Sequence, residues 1–519
     1  MDQLHLIFSQ MEQSGTAVFT PDGKGGVLCD GCAVPVTVAA GEGGDGFAIR
    51  FDPQAVTLYA DTPRARAFAW NALRCVLEEG GVRAGLYRAR PSFRIRGIIE
   101  GFYGKPWTME QRADVIGTLA AHGLNTYLYG PKDDPYHREK WREPYPEEKL
   151  QELCRMRDIC AEQQVDFVYL LAPGLDIEYS SARERALVLE KYRQVSRLGV
   201  HRFGLLLDDI GERIEHESDR RKYPDLVSAH IDLVNGVWQA LRQMDAQATL
   251  WVCPTQYHGA GDEDYIRRFG CGIPQECLLM FTGERICSAQ ITSAQARFFA
   301  QHTNHKPLYW DNYPVNDMEM KDEFHVSPIR NRDRDLGDWS QGVIINPMES
   351  AACSKFAAIA YADYLWNARA YDPEDSRRRA AQELLGEALA PDWLRLEEFL
   401  YVSHLLRLGY HYQDQPSPGP HSEAGRLIQA KELDRLQSYL SESEDCFRRL
   451  QALPAAYRTE VQRWLDTALD FCVQARCALE NRQKGAPVRA VLQPLCRYLT
   501  RKEDVMKEEA EQLLLLLAE

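Results

Sequence analysis

No stretch of the 519-residue chain approaches the roughly 18 consecutive apolar residues of a membrane span, and the opening "MDQLHLIFSQMEQSG" has no basic segment ahead of an apolar one. A soluble, cytoplasmic chain without an export signal is the expectation. Positive charge is also scarce: 61 Lys and Arg stand against 76 Asp and Glu, a formal charge of −15. That balance disfavours broad attraction to nucleic acid or anionic lipid and leaves a neutral or small partner. The short motifs of several chemistries are missing too. No H-E-x-x-H marks a zinc site and no G-x-S-x-G a serine nucleophile. "GKGG" at 23–26 lacks the spacing of a phosphate-binding loop and reads as a hairpin turn. Fourteen cysteines are present but scattered, unlike a secreted disulfide scaffold, so reduced thiols are expected. The one C-x-x-C pair, Cys29 and Cys32 in "CDGC", has no second pair and reads as a turn between strands.

What the chain does hold is three changes of pattern. Residues 1–90 carry short apolar stretches, "HLIF", "FAIRF" and "VTLYA", then an amphipathic segment from about Thr62 to Leu77. These predict a small α/β domain. From residue 93 eight strand-like runs follow: "RIRGIIE", "LNTYLYG", "DFVYLLA", "RFGLLLD", "ATLWVC", "CLLMFTG", "PLYWDN" and "QGVIIN". Helical spacing of apolar residues falls between most of them, as at 109–121, 146–162, 181–197 and 223–243. Eight such repeats predict a (β/α)8 TIM barrel over residues 93–370, with functional groups at the carboxyl ends of the strands. An open doubly wound sheet is the alternative, but no G-x-G-x-x-G follows the first of these strands. After "YLWNARAYDPEDS" strands cease, and segments 377–389, 391–409, 422–451, 455–482 and 487–518 predict an all-α domain over 371–519. Its last segment, ending "LLLLLAE", is too short to span a bilayer and reads as a packing edge.

The predicted strand ends are unusually polar. The first runs into "EGFYGKPW", the second into Lys132, Asp133 and Asp134, and the fourth into the adjacent Asp208 and Asp209. Tyr257 follows the fifth; Trp310, Asn312 and Asp317 belong to the seventh, and Asn346 to the eighth. Jointly they describe a concavity of carboxylates, amides and rings, suited to a neutral sugar rather than a phosphate ester. Each has a plainer reading. The two Asp could cap a helix, Lys132 could pair with Asp133 at the surface, and Trp310 could be core. His122, His137 and His258 lack ligand spacing, so no metal and no cofactor are expected.

The run "RGIIEGFYGKPWTMEQR", followed in order by "NTYLYGPKDD", "LLLDDI", "CPTQY", "WDNYPVND" and "INP", resembles the catalytic domain of glycoside hydrolase family 84. That family holds the O-GlcNAcases and the bacterial β-N-acetylglucosaminidases, some labelled hyaluronidases. The resemblance covers about residues 93–370, and family members also carry an α/β domain before the barrel and a helical one after it. "GPKDD" and "CPTQY" differ in detail from the animal versions.

The resemblance implies a retaining exo-β-N-acetylglucosaminidase using substrate-assisted catalysis, in which the sugar's 2-acetamido oxygen attacks its own anomeric carbon and forms an oxazoline. Asp208 would polarise the acetamido N–H, and Asp209 would protonate the leaving oxygen and then activate water. Gly101, through its backbone, and Lys132, Asn312, Asp317 and Asn346 would hold hydroxyls or the acetamide. Tyr257 would bond the acetamido oxygen, and Trp310 would wall the acetyl pocket. Crowding of two carboxylates leads to the expectation that one keeps its proton. Because neighbours on a strand face opposite ways, the backbone must leave strand geometry at "DDIGE", where Gly211 would permit it. The implied partners are terminal β-GlcNAc glycans or O-GlcNAc-modified protein. A homodimer through the C-terminal helices and a solvated bundle are both open. Two other classes remain: a catalytically silent GlcNAc-binding protein, and a metal-dependent hydrolase using Asp133, Asp134, Asp208 and Asp209.

Overall fold

The computed structural model describes residues 3–41, 43–78, 81–400 and 422–518. All eight repeats from residue 93 onward become strands of one closed parallel barrel. They run Ile95–Glu100, Thr126–Tyr129, Asp166–Leu171, Arg202–Leu206, Thr249–Cys253, Leu278–Phe281, Leu308–Pro314 and Gly342–Asn346, the last pairing back onto the first. Nearly every strand residue is buried, because one face fills the barrel and the other lies under helices. Inside, Ile99, Leu128, Leu170, Trp251, Met280 and Ile344 interdigitate. Gly204 makes room there: a Cβ on it would lie 2.2 Å from Leu170 Cδ2.

Ahead of the barrel lies a seven-stranded mixed sheet. The helix Pro63–Glu78 packs on it through Ala65, Ala69, Leu73 and Val76. "HLIF" departs from expectation: Gln3–Ile7 is a short helix. Its carbonyls are engaged by side chains rather than by a neighbouring strand, since Trp366 Nε1 donates to Ile7 O and Asn367 Nδ2 to His5 O. A four-residue apolar run carries no period with which to tell the two apart. "CDGC" is a tight hairpin turn, with Cys29 paired to Cys32 and positive φ at Asp30 and Gly31.

Helices follow the barrel, at Pro373–Leu400, Glu423–Gln429, Leu433–Arg449, Ala455–Gln483, Val488–Tyr498 and Lys507–Ala518. Three expected boundaries shift. The first helix breaks at Gly386 (φ 74°), the segment 422–451 divides near Lys431 (φ 58°), and 487–518 divides before Met506 (φ 49°). The expected segment 391–409 is helical to Leu400, and its remainder lies outside the described residues. The helices reach the barrel where they bear on the loop after the seventh strand. Trp464 Nε1 and the Asp504 N–H both donate to Asp322 O, and Arg463 pairs with the Asp322 carboxylate at 2.7 Å.

On the outer face of the seventh strand, Asp311 and Arg332 form a two-pronged ion pair at 2.8 and 2.9 Å, both almost fully buried, with Tyr361 donating its hydroxyl to the same carboxylate. Removing one partner would strand the other charge without water. Arg332→Ala is therefore expected to cost about 3–5 kcal/mol in urea unfolding, and the paired Asp311→Leu/Arg332→Met change clearly less.

Candidate active site

The carboxyl ends of the barrel strands enclose a cavity of about 370 Å³, and all nine site residues read from the sequence line it. The sharpest feature is the turn out of the fourth strand. The strand ends at Leu206, Asp208 is buried, and Asp209 takes a left-handed backbone, φ 53°. Such a conformation is uncommon outside glycine and costs energy. It swings the second carboxylate off strand alternation, so that both acids line one hollow. The departure from strand geometry falls on Asp209 itself, two residues earlier than the expected relief at Gly211.

Lys132 stands between the two acids. Its Nζ lies 2.6 Å from Asp208 Oδ2 and 3.5 Å from Asp209 Oδ2, 5.4 Å from the centre of the Tyr103 ring. It is buried and does not pair with Asp133 at the surface. Burial opposes its charge, but the two carboxylates outweigh that and lift its pKa above the ordinary lysine value. Asp209 also accepts from the hydroxyls of Tyr103 (2.8 Å) and Tyr257 (3.0 Å). Burial alone would raise its pKa, yet Lys132 and these two donors prevail and lower it. At Asp209 the shared cation thus outweighs the crowding of two carboxylates from which a retained proton was expected.

Opposite, Asp317 Oδ2 accepts the Tyr103 backbone N–H at 2.7 Å, and burial raises its pKa. Asn346 donates to Asn312 Oδ1 at 3.0 Å, and Asn312 in turn to Ile286 O at 2.9 Å, which orients both amides. Three buried polar atoms of the wall find no protein partner: Asp208 Oδ1, Asn346 Oδ1 and Trp310 Nε1. Unmatched buried polar atoms gathered around one hollow mark a place for a polar ligand. Trp310 is both core and wall, with its ring against Gly101.

Asp133 and Asp134 belong elsewhere. They line a separate hollow, where Asp134 is fixed by the hydroxyls of Tyr129 and Tyr145 at 2.9 Å each. The four-carboxylate metal arrangement is thus not formed, and among the described residues no cluster of three His, Cys, Asp or Glu is placed to hold a metal. Two residues escaped the sequence reading. Tyr103, two places after Gly101 in "EGFYG", bonds both Asp209 and Asp317, and an aromatic beside a strand-end glycine was the available signal. Arg138, in "PYHREKW", donates to the Asp209 carbonyl, and no spacing announces such a contact.

A Cβ on Gly101 would stand 2.8 Å from Trp310 Cζ2, and the buried ring has little room to retreat. Gly101→Ala is expected to lower kcat/KM for whatever substrate the cavity takes by about tenfold or more while the melting temperature moves little. Steady-state kinetics beside calorimetry check it.

A family model described as beta-N-acetylglucosaminidase matches residues 96–398. The protein O-GlcNAcase of Rattus norvegicus is 33% identical over 257 residues, 48% of this chain and 28% of the relative, so the match spans little more than a quarter of that protein. Among solved structures, a mutant of the Thermobaculum terrenum O-GlcNAc hydrolase superposes with a TM-score of 0.75 at 29% identity, over 82% of this chain and 94% of its own. Another, CpGH84B, reaches 0.78 at 22% identity over 92% and 86%, a likeness of fold. With more than half of its length matched by the family model, and with the barrel on which the paired acids sit, the chain belongs to the β-N-acetylglucosaminidase family, glycoside hydrolase family 84.

Proposed function

We propose that the chain is a retaining exo-β-N-acetylglucosaminidase, which removes terminal β-linked GlcNAc from glycans or O-GlcNAc-modified protein with the sugar's own acetamide as nucleophile. The observation that carries this reading is the left-handed Asp209, which brings two sequence neighbours onto one small cavity. A cavity of about 370 Å³ lies at the small end of ligand sites and suits one terminal sugar.

In this reading the unpartnered Asp208 Oδ1 accepts the acetamido N–H. Lys132 pairs with that carboxylate, and the carboxylate's negative charge meets the positive charge growing on the oxazoline ring. Asp209 is the acid and then the base. Lys132 and the tyrosine hydroxyls lower its proton affinity, and a bound sugar would change that balance. A sugar displaces water around it, and a Tyr257 hydroxyl turned to the acetamido oxygen no longer donates to Asp209. Both changes raise its pKa toward that of a useful acid. Asp317, Asn312 and Asn346 hold the sugar's hydroxyls, and Trp310 walls the acetyl group.

The test is hydrolysis of β-GlcNAc glycosides with a good and a poor leaving group. Asp209→Ala should lose roughly 10²–10⁴-fold on the poor one and far less on the good one. Asp208→Ala should lose heavily on both. Equal losses from Asp209→Ala would remove it as the acid, and equal turnover of glycosides without the N-acyl group would end the substrate-assisted scheme. Tight GlcNAc binding with no turnover would favour the silent binding protein.

A further inference from the structure

The left-handed turn at Asp209 raises the question of what holds it. The residue is not glycine, its strand has ended three positions earlier, and its carboxylate faces the cavity rather than anchoring the chain. The main-chain group left to secure it is the carbonyl. Arg138, on the segment after the second strand, donates its Nη2 to that carbonyl at 3.2 Å. The guanidinium is buried, at 8% exposure, and its Nη1 finds no protein acceptor.

We propose that Arg138 is the positioning residue for the acid, clamping the Asp209 carbonyl so that the residue stays in the left-handed conformation that presents its carboxyl to the sugar. This inference rests on the function proposed above and deepens it. The alternative is that Arg138 merely ties the fold together. Other buried arginines here do so with several bonds: Arg332 spreads over the Asp311 carboxylate and three carbonyls. The hydrogen bonding of Arg138 converges on the one strained peptide.

A cation in this position also acts through its charge. The groups facing the Asp209 carboxyl are Lys132, Arg138, the Tyr103 and Tyr257 hydroxyls, and the acids Asp208 and Asp317. Lys132 and Arg138 both pull its pKa down. Losing Arg138 therefore raises it. In a reaction whose alkaline limb reports the acid losing its proton, that limb moves to higher pH.

The experiment compares wild type, Arg138→Gln and Arg138→Lys on a nitrophenyl β-GlcNAc and an alkyl β-GlcNAc across pH, with circular dichroism as a check on folding. Wild-type turnover of the nitrophenyl glycoside tests the function itself, so failure there sinks that reading before the variants are consulted. The expected result for Arg138→Gln is a fall in kcat of about tenfold to a hundredfold on the alkyl glycoside. Its loss on the nitrophenyl glycoside should be small, its KM little changed, and its alkaline limb displaced upward. Arg138→Lys keeps the charge but not the planar fork. It should leave the limb in place and retain the deficit on the alkyl glycoside. Equal losses on both substrates, an unmoved limb in Arg138→Gln, or unfolding of both variants would overturn the proposal and leave Arg138 a structural residue.

Discussion

The shared cation between Asp208 and Asp209 is the contact on which the site depends. Two neighbouring carboxylates brought onto one partly buried hollow would repel each other, and desolvation would add to the cost. Lys132 Nζ, 2.6 Å from one acid and 3.5 Å from the other, makes the arrangement tolerable. The tyrosines then act as finer adjustments, because each hydroxyl bond to Asp209 stabilises its charged form. None of this needs a metal: the counter-charge comes from the chain, supplied by the segment after the second strand, which reaches across the mouth of the third.

The rest of the fold keeps those groups in register. A barrel places the ends of non-adjacent segments on one rim, so Gly101, Lys132, Asp208, Tyr257, Trp310 and Asn346 meet from six different strands. Ion pairs on the outer side secure two of those strands. Glu100, at the end of the first, is gripped by Arg112 through bonds of 2.7 and 2.8 Å, and Asp311 on the seventh by Arg332. The loop that begins at Asp317 is held from the far side by Arg463, Trp464 and the Asp504 backbone. The C-terminal helices thus bear on the cavity without lining it.

Legibility in the sequence followed burial. The eight barrel strands stood out because both of their faces are covered and each reads as a nearly continuous apolar run. The sheet ahead of them was legible only in its buried members: Gln10–Pro21 is mostly exposed and its pairing shifts between Gln13 and Val18, so no alternation marks it. The helix end before Lys431 was hidden because an ordinary side chain takes the left-handed stop that glycine usually signals. The cavity residues were found together because strand-end polarity and the family motifs agree. Arg138 was not, since it acts on a backbone carbonyl 71 positions away, and the pull of Lys132 on Asp209 was missed because a pairwise view of two acids omits the lysine between them.

That lysine also sets the charge balance of the proposed reaction. In the proposed scheme Asp209 must carry a proton before it can give one, and the Lys132 charge beside it, which favours the ionised carboxylate, makes it the readier donor. In that scheme Asp209 would pass its proton to the leaving oxygen and regain its charge while positive charge spreads over the ring and the acetamide, so that the two opposite charges would grow together in one cavity. Fixed groups that favour this separated pair of charges over the neutral reactants lower the barrier without having to reorganise.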